Sequence, residues 1–131
     1  MSRDNKIYAE EFNITSPTHK LFAPGIHLLI DYWGAQHLQD INAIETALQH
    51  SITACGATLL HIHLHSFGKG AGITGVAVLA ESHISIHTWP EIDYLALDIF
   101  MCGATDPYVA LATLDDFFKP ERKKVTEHKR G

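Results

Sequence analysis

Four short strand-like segments follow one another between residues 57 and 101, and this succession constrains the fold more than any other feature. They cover residues 57–65, 73–80, 83–89 and 94–101 and are rich in branched and aromatic side chains. Only a few residues connect one segment to the next. Parallel neighbours need a crossover of roughly a dozen residues or more, so these segments are expected to pair as antiparallel strands.

Two further strands and two helices complete the pattern. Residues 26–33 and 123–128 predict a first and a last strand. One helix is indicated by residues at spacings of three and four, namely Leu38, Ile41, Glu45, Leu48 and Ile52, with Ile44 beside them and Gly56 at the C-terminal end. The other begins at Asp106-Pro107, continues through Leu111, Leu114 and Phe118, and stops at Pro120. The sequence therefore predicts an α+β two-layer sandwich, a mainly antiparallel sheet with two helices on one face.

The strand patterns also predict which residues are buried. On the strand at 57–65, Leu60, Ile62 and Leu64 should share one side, opposite three histidines. The near-continuous apolar run at residues 73–80 predicts deep burial. Cys55, on the first helix, is expected in the core.

Length and charge restrict the class of protein. The 131 residues predict one domain over residues 25–131, preceded by a polar N-terminal extension over residues 1–24. A net charge of −5 argues against a nucleic-acid partner, and no apolar run approaches the roughly 20 residues that span a bilayer. The absence of an apolar segment near the start and the presence of only two cysteines favour a cytoplasmic protein.

The segment Glu81–Glu91 is the most unusual part of the chain. It contains two histidines, two serines, two carboxylates and a tryptophan directly after an apolar run. It resembles the self-cleavage and active-site segment of the prokaryotic S-adenosylmethionine decarboxylases. The likeness extends over residues 25–131 and includes Gly25-x-His27 and the ending Glu127–Gly131.

The resemblance implies a proenzyme that makes its own cofactor. In that family the serine at the Ser82 position attacks the preceding carbonyl, here that of Glu81, to give an ester. Elimination then cuts the chain between Glu81 and Ser82 and leaves dehydroalanine, and hydrolysis of that group releases ammonia and leaves a pyruvoyl group. That carbonyl forms a Schiff base with the substrate amine and accepts the electrons released with CO2. The implied activity converts S-adenosylmethionine to decarboxylated S-adenosylmethionine for polyamine (spermidine) synthesis.

Other residues acquire expected roles from the same resemblance. His87 matches the histidine implicated in processing, and Cys102 matches the proton donor of the decarboxylation. Thr74 stands where the best-known members have a serine with a processing role. Taken alone, each has an ordinary structural interpretation: a strand histidine bonded to the backbone, a buried inert cysteine and a threonine on a strand.

The resemblance places the substrate pocket around Phe67, Trp89 and Glu91. Aromatic faces can stack on adenine, and a carboxylate can accept from ribose hydroxyls. The glycine loop at residues 68–72 is one residue longer than usual in the family, which keeps a second substrate class open. That alternative is a pyruvoyl-dependent decarboxylase of a basic amino acid, arginine or ornithine.

Two further alternatives and an assembly state complete the expectations. His61, His63 and His65 alternate along one strand face and offer a possible metal site, although the decarboxylase interpretation requires none. A non-enzymatic regulatory paralogue is the other alternative. Since a sheet with helices on one face leaves its second face uncovered, and family members pair their subunits, a homodimer of cleaved protomers is expected.

Overall fold

Six antiparallel strands form a single sheet in the computed structural model, which describes residues 24–131. The strands are β1 (Gly25–Trp33), β2 (Leu59–Ser66), β3 (Ile73–Leu79), β4 (Ser82–Trp89), β5 (Tyr94–Cys102) and β6 (Arg122–Arg130). Their order across the sheet is β2-β3-β4-β5-β1-β6. All but the last residue of the predicted extension, residues 1–24, lies outside the described residues.

Both predicted helices are present and are capped as the sequence indicates. Helix α1 (Ile41–Ala54) begins after Asp40, whose carboxylate accepts from the Ala43 amide at 3.1 Å. Helix α2 (Pro107–Phe118) begins after Asp106, whose carboxylate accepts from the Tyr108 amide at 2.9 Å. These bonds satisfy amide groups that have no partner within the helix. No helix of the described residues is long and apolar enough to cross a membrane.

The hydrophobic core lies between the two helices and one face of the sheet. Its most completely buried side chains include Leu28, Tyr32, Ile44, Leu48, Ile84, Ile99 and Phe118. Each large side chain of this kind contributes about 1.5–3 kcal/mol when it leaves water. Cys55 is buried as predicted, and burial raises the pKa of its thiol. The α+β sandwich expected from the sequence is confirmed.

Two predictions about burial are wrong. Strand β3 alternates rather than being buried throughout, with Val76 and Val78 36% and 41% exposed, because the helices cover only one face. Leu60 does not share a side with Ile62 and Leu64. A pairing irregularity between Leu59 and His61 shifts the register there and leaves Leu60 63% exposed.

The uncovered side of the sheet is called the open face below. No element of residues 24–131 packs over it in the way that the helices cover the opposite side. Strand pairing brings polar, aromatic and apolar side chains together on it, including His27, Leu29, Asp31, Thr74, Val76, Val78, His83, Ser85, His87, Asp98 and Phe100. Of the predicted site residues, Thr74 and His87 lie on the open face, whereas Ser82 shares the side of β4 that carries the buried Ile84 and Ile86.

Candidate active site

Ser82 lies at a tight corner between two strands. Leu79 pairs with Ser82, so only Ala80 and Glu81 form the turn that joins β3 to β4. Glu81 adopts φ 60, a left-handed conformation that is uncommon for any residue other than glycine. The peptide bond expected to break is thus the bond between a turn residue in an unfavourable conformation and the first residue of a strand.

Cys102 places two hydrogen-bond donors, its thiol and its backbone N–H, next to this bond. It is the last residue of β5, and its thiol donates to the carbonyl oxygen of Glu81 at 2.8 Å. Its backbone N–H donates to Ser82 Oγ at 3.3 Å, and its sulfur lies 3.7 Å from the same oxygen. Ser82 itself is 9% exposed. One cysteine therefore contacts both the hydroxyl that would attack and the carbonyl that would be attacked. We call Glu81, Ser82 and Cys102 the cleavage cluster.

A second group of predicted residues lies at the other end of β4. Thr74 pairs with His87 across β3 and β4, and the Thr74 hydroxyl lies 3.2 Å from His87 Nδ1. The ring of His87 is 6.3 Å from that of Trp89. Thr74 thus places a hydroxyl beside the ring of His87.

The other residues predicted to line the pocket lie near the same end of β4. Glu91 is exposed in the short 3₁₀ helix Pro90–Ile92 that follows β4. Phe67 directly follows β2, is 64% exposed and lies edge-on to His65 with ring centroids 4.7 Å apart. We call Phe67, Thr74, His87, Trp89 and Glu91 the pocket cluster.

The two clusters do not meet within one protomer. Ser82 and His87 are five positions apart on the same extended strand. At about 3.3 Å per residue the separation is roughly 16 Å, far beyond the reach of a direct proton transfer. The structure therefore unites Ser82 with Cys102, and His87 with Thr74, but does not bring His87 to Ser82 in the same chain.

The sequence analysis missed a polar network at the centre of the open face. Asp98 on β5 accepts from the Ser85 hydroxyl through one oxygen. Its other oxygen lies 2.5 Å from His27 Nε2 and 2.9 Å from His83 Nε2. Burial alone would raise the pKa of Asp98, but these three hydrogen bonds lower it below its ordinary value. A charged residue inside an otherwise apolar strand was the available signal, although its partners depend on strand register.

Among residues 24–131, His27, His83 and Asp98 are also the group whose potential metal ligands converge, with three ligand atoms within 4.8 Å of one another. A guanidinium nitrogen of Arg130 lies 3.1 Å from His27 Nδ1. Because arginine only donates, Nδ1 is the acceptor, and in the neutral ring the proton is on Nε2, facing Asp98. Histidines that ligate metals usually donate from the other nitrogen, so this arrangement favours a hydrogen-bonded network over a metal site.

The predicted metal alternative on β2 does not form such a group. Across the strands, His61, His63 and His65 face Val78, Val76 and Thr74. In the described part of the chain these histidines do not bring three ligand atoms together.

Comparison with known proteins gives one consistent result. The family model described as S-adenosylmethionine decarboxylase matches residues 26–131. An S-adenosylmethionine decarboxylase proenzyme from Methanococcus maripaludis is 46% identical over 110 residues, covering 82% of this chain and 89% of the relative. One from Thermomicrobium roseum is 39% identical over 108 residues, covering 82% and 93%. The crystal structure of the adenosylmethionine decarboxylase from Aquifex aeolicus superposes with a TM-score of 0.76 at 32% identity, covering 84% of this chain and 92% of that one.

Proposed function

The chain belongs to the S-adenosylmethionine decarboxylase family, and from this premise we propose that it is a self-processing, pyruvoyl-dependent enzyme. Its substrate in this proposal is S-adenosylmethionine, and its product is the decarboxylated form used in polyamine synthesis. The resemblance drawn from Glu81–Glu91 is confirmed by the family match. The observation that carries the proposal is the position of Cys102, which contacts both sides of the bond to be cut.

The cleavage cluster is arranged for attack of a hydroxyl on a carbonyl. Addition of Ser82 Oγ to the Glu81 carbonyl carbon places negative charge on the carbonyl oxygen. That oxygen already accepts from the Cys102 thiol at 2.8 Å. A donor that is in place before charge develops lowers the barrier without reorganisation. Meanwhile the Cys102 amide fixes Ser82 Oγ and leaves the hydroxyl proton free to be removed.

Residue 82 would carry the cofactor after cleavage. A pyruvoyl group supplies an electrophilic carbonyl that takes up the substrate amine and accepts electrons as CO2 leaves. Cys102 holds a transferable proton beside this position, since its sulfur lies 3.7 Å from Ser82 Oγ. A reducing, cytoplasmic location would keep this residue a thiol.

A homodimer would supply what one protomer lacks. Cleavage requires a base near Ser82, yet His87 lies at the far end of the strand. Two open faces paired about a two-fold axis, with their strands reversed, would bring the pocket cluster of one subunit to the cleavage cluster of its partner. Exposed apolar side chains on the open face, among them Leu29, Val76 and Val78, give such a contact hydrophobic area.

The direct test is intact mass together with CO2 release. Wild-type protein should yield fragments 1–81 and 82–131, the smaller one resistant to Edman degradation, whereas Ser82→Ala stays whole because no hydroxyl remains to attack. Cys102→Ala should slow cleavage by roughly 10²-fold, the effect of losing one oxyanion donor. Only full-length wild-type chain after long incubation would contradict self-cleavage.

The same preparation should be given S-adenosylmethionine, arginine and ornithine in parallel. We expect CO2 from S-adenosylmethionine, since Trp89 and Phe67 present exposed aromatic faces suited to an adenine ring. Release from arginine or ornithine, with none from S-adenosylmethionine, would reassign the substrate and leave the cleavage chemistry intact.

A further inference from the structure

Asp98 connects three strands through a single carboxylate. Ser85 from β4 binds one of its oxygens, while His27 from β1 and His83 from β4 bind the other. The side chain is 20% exposed and lies on the central strand of the three. Placing a carboxylate in a half-buried position costs desolvation free energy, and the three hydrogen-bond donors offset this cost.

The hydrogen-bond donors of this network converge on Asp98 from both sides. Arg130 on β6 donates to His27 Nδ1, so neutral His27 donates from Nε2 to Asp98. Asp98 then accepts from His83 Nε2. The network therefore links the edge strand β6, through β1 and β5, to the first part of β4, with Asp98 as the common acceptor.

The ring of His83 is held from three directions. Asp98 binds its Nε2. The ring of Phe100 stacks beside it with centroids 5.9 Å apart and planes 19° apart. The ring of His27 meets it edge-on at 5.7 Å. Since His83 directly follows Ser82, this arrangement fixes the residue next to the proposed cofactor.

Cleavage would change what holds residue 82. In the intact chain the turn Ala80–Glu81 ties it to Leu79 of β3. Once the bond after Glu81 is broken, residue 82 becomes a chain end, and chain ends fray unless they are tied down. The covalent link that remains is the one to His83.

We propose that Asp98 is a positioning residue that, by fixing His83, holds residue 82 against Cys102 after the chain has been cut. The inference rests on the proposed function. It requires an acceptor that can serve three donors at once, which a carboxylate provides. An asparagine offers one acceptor oxygen and a donor NH₂ that would oppose a histidine N–H.

The test compares Asp98→Asn with Asp115→Asn. Asp115 is a matched control because it also accepts from a hydroxyl, that of Tyr32, and from a cation, Lys123, but on α2, away from β4. Fully cleaved protein of each variant is assayed for kcat and KM, and amide hydrogen exchange is followed at residues 82–86. Uncleaved Ser82→Ala carrying the same substitution serves as the reference for exchange.

We expect Asp98→Asn to lower kcat by about 10- to 100-fold with little change in KM, the scale of effect for a misplacement on the order of 1 Å. Exchange at residues 82–86 should rise in the cleaved Asp98→Asn protein and stay low in its uncleaved reference. Asp115→Asn should lose thermal stability without either effect.

A cleaved Asp98→Asn enzyme with wild-type kcat and wild-type exchange at residues 82–86 would overturn the inference. If Asp98→Asn fails to fold, His83→Phe replaces it, since phenylalanine keeps the stacking on Phe100 but loses the bond to Asp98. The same kcat loss and local exchange would support the inference, and wild-type values would overturn it. Wild-type protein that neither cleaves nor releases CO2 would instead refute the proposed function.

Discussion

At the scale of single residues, Glu81 shows how the proposed cleavage point differs from an ordinary hairpin. Two-residue turns between strands normally use glycine or asparagine where φ is positive. Here glutamate takes φ 60, a conformation that costs an L-residue roughly 1–2 kcal/mol. Part of the folding energy of β3 and β4 therefore holds this turn in place.

The conformational cost of Glu81 can be measured in the uncleavable Ser82→Ala protein. The free energy of unfolding of the Glu81→Val protein should be about 1–2 kcal/mol lower than that of the Glu81→Asn protein, because valine tolerates positive φ poorly and asparagine tolerates it well. Chemical denaturation of the two proteins measures the difference. Equal stability would show that Glu81 does not need the left-handed conformation.

Asp98 gives a second prediction at this scale, in acid. Its pKa is lowered in the folded chain, so the stability it contributes is complete above its ordinary pKa of 3.8 and is lost as pH falls through the lower folded value. The groups facing it are Ser85, His27 and His83, with Arg130 behind His27. Urea unfolding of Ser82→Ala protein from pH 6 to pH 2 should lose this contribution at the acid end. In the Asp98→Asn derivative the free energy of unfolding should fall less steeply as the pH is lowered. Parallel curves for the two proteins would contradict this prediction.

At the scale of elements, the glycine loop ties the start of β3 to the end of β4. A Cβ added at Gly72 would lie 2.1 Å from the backbone oxygen of Thr88, and a backbone atom cannot move aside as a flexible side chain can. The neighbouring Ile73 amide donates to Thr88 Oγ1 at 2.9 Å, and that hydroxyl donates to the Leu38 carbonyl. The loop thus sets the position of β4 beside the pocket cluster.

Gly72→Ala should therefore destabilise the Ser82→Ala protein by about 1–3 kcal/mol, the usual effect of forcing extra atoms into a packed site. Ala71→Ser, one position earlier, is the control and should stay within about 0.5 kcal/mol. Thermal denaturation of both proteins measures this. A Gly72→Ala protein as stable as the control would show that the loop moves away easily.

Local patterns predicted these elements because spacing and capping act within a few residues. Asp106-Pro107 marked the start of α2, and Gly56, with φ 81, follows α1 where expected. The features that the sequence did not predict depend on partners distant in sequence. The exposure of Val78 reflects which face the helices cover, and the partners of Asp98 reflect a register that pairs β1, β4 and β5. Ser82 and Cys102 were found through a family motif, whereas the distance from His87 to Ser82 needed the folded strand.

At the scale of the whole molecule, the proposed dimer predicts rescue between two defective chains. His87→Ala alone should cleave slowly, and Ser82→Ala should never cleave. When both are co-expressed, the Ser82→Ala chain can lend its His87 to the partner, so about half of the His87→Ala chains, those in mixed dimers, should be cut. Intact mass identifies which chain is cleaved. No rescue, or an active monomer by light scattering, would contradict a site shared between subunits.

The placement of the two clusters at opposite ends of β4 has a consequence for timing. In this proposal a complete site needs the cleavage cluster of one chain and the pocket cluster of another, so cleavage requires two chains to meet and becomes a second-order process. Its rate should rise with the square of the concentration of newly made chains until most are paired. The fraction of cleaved chains would then rise with the expression level, and a cell that makes few copies would keep most of them as uncleaved, inactive precursor.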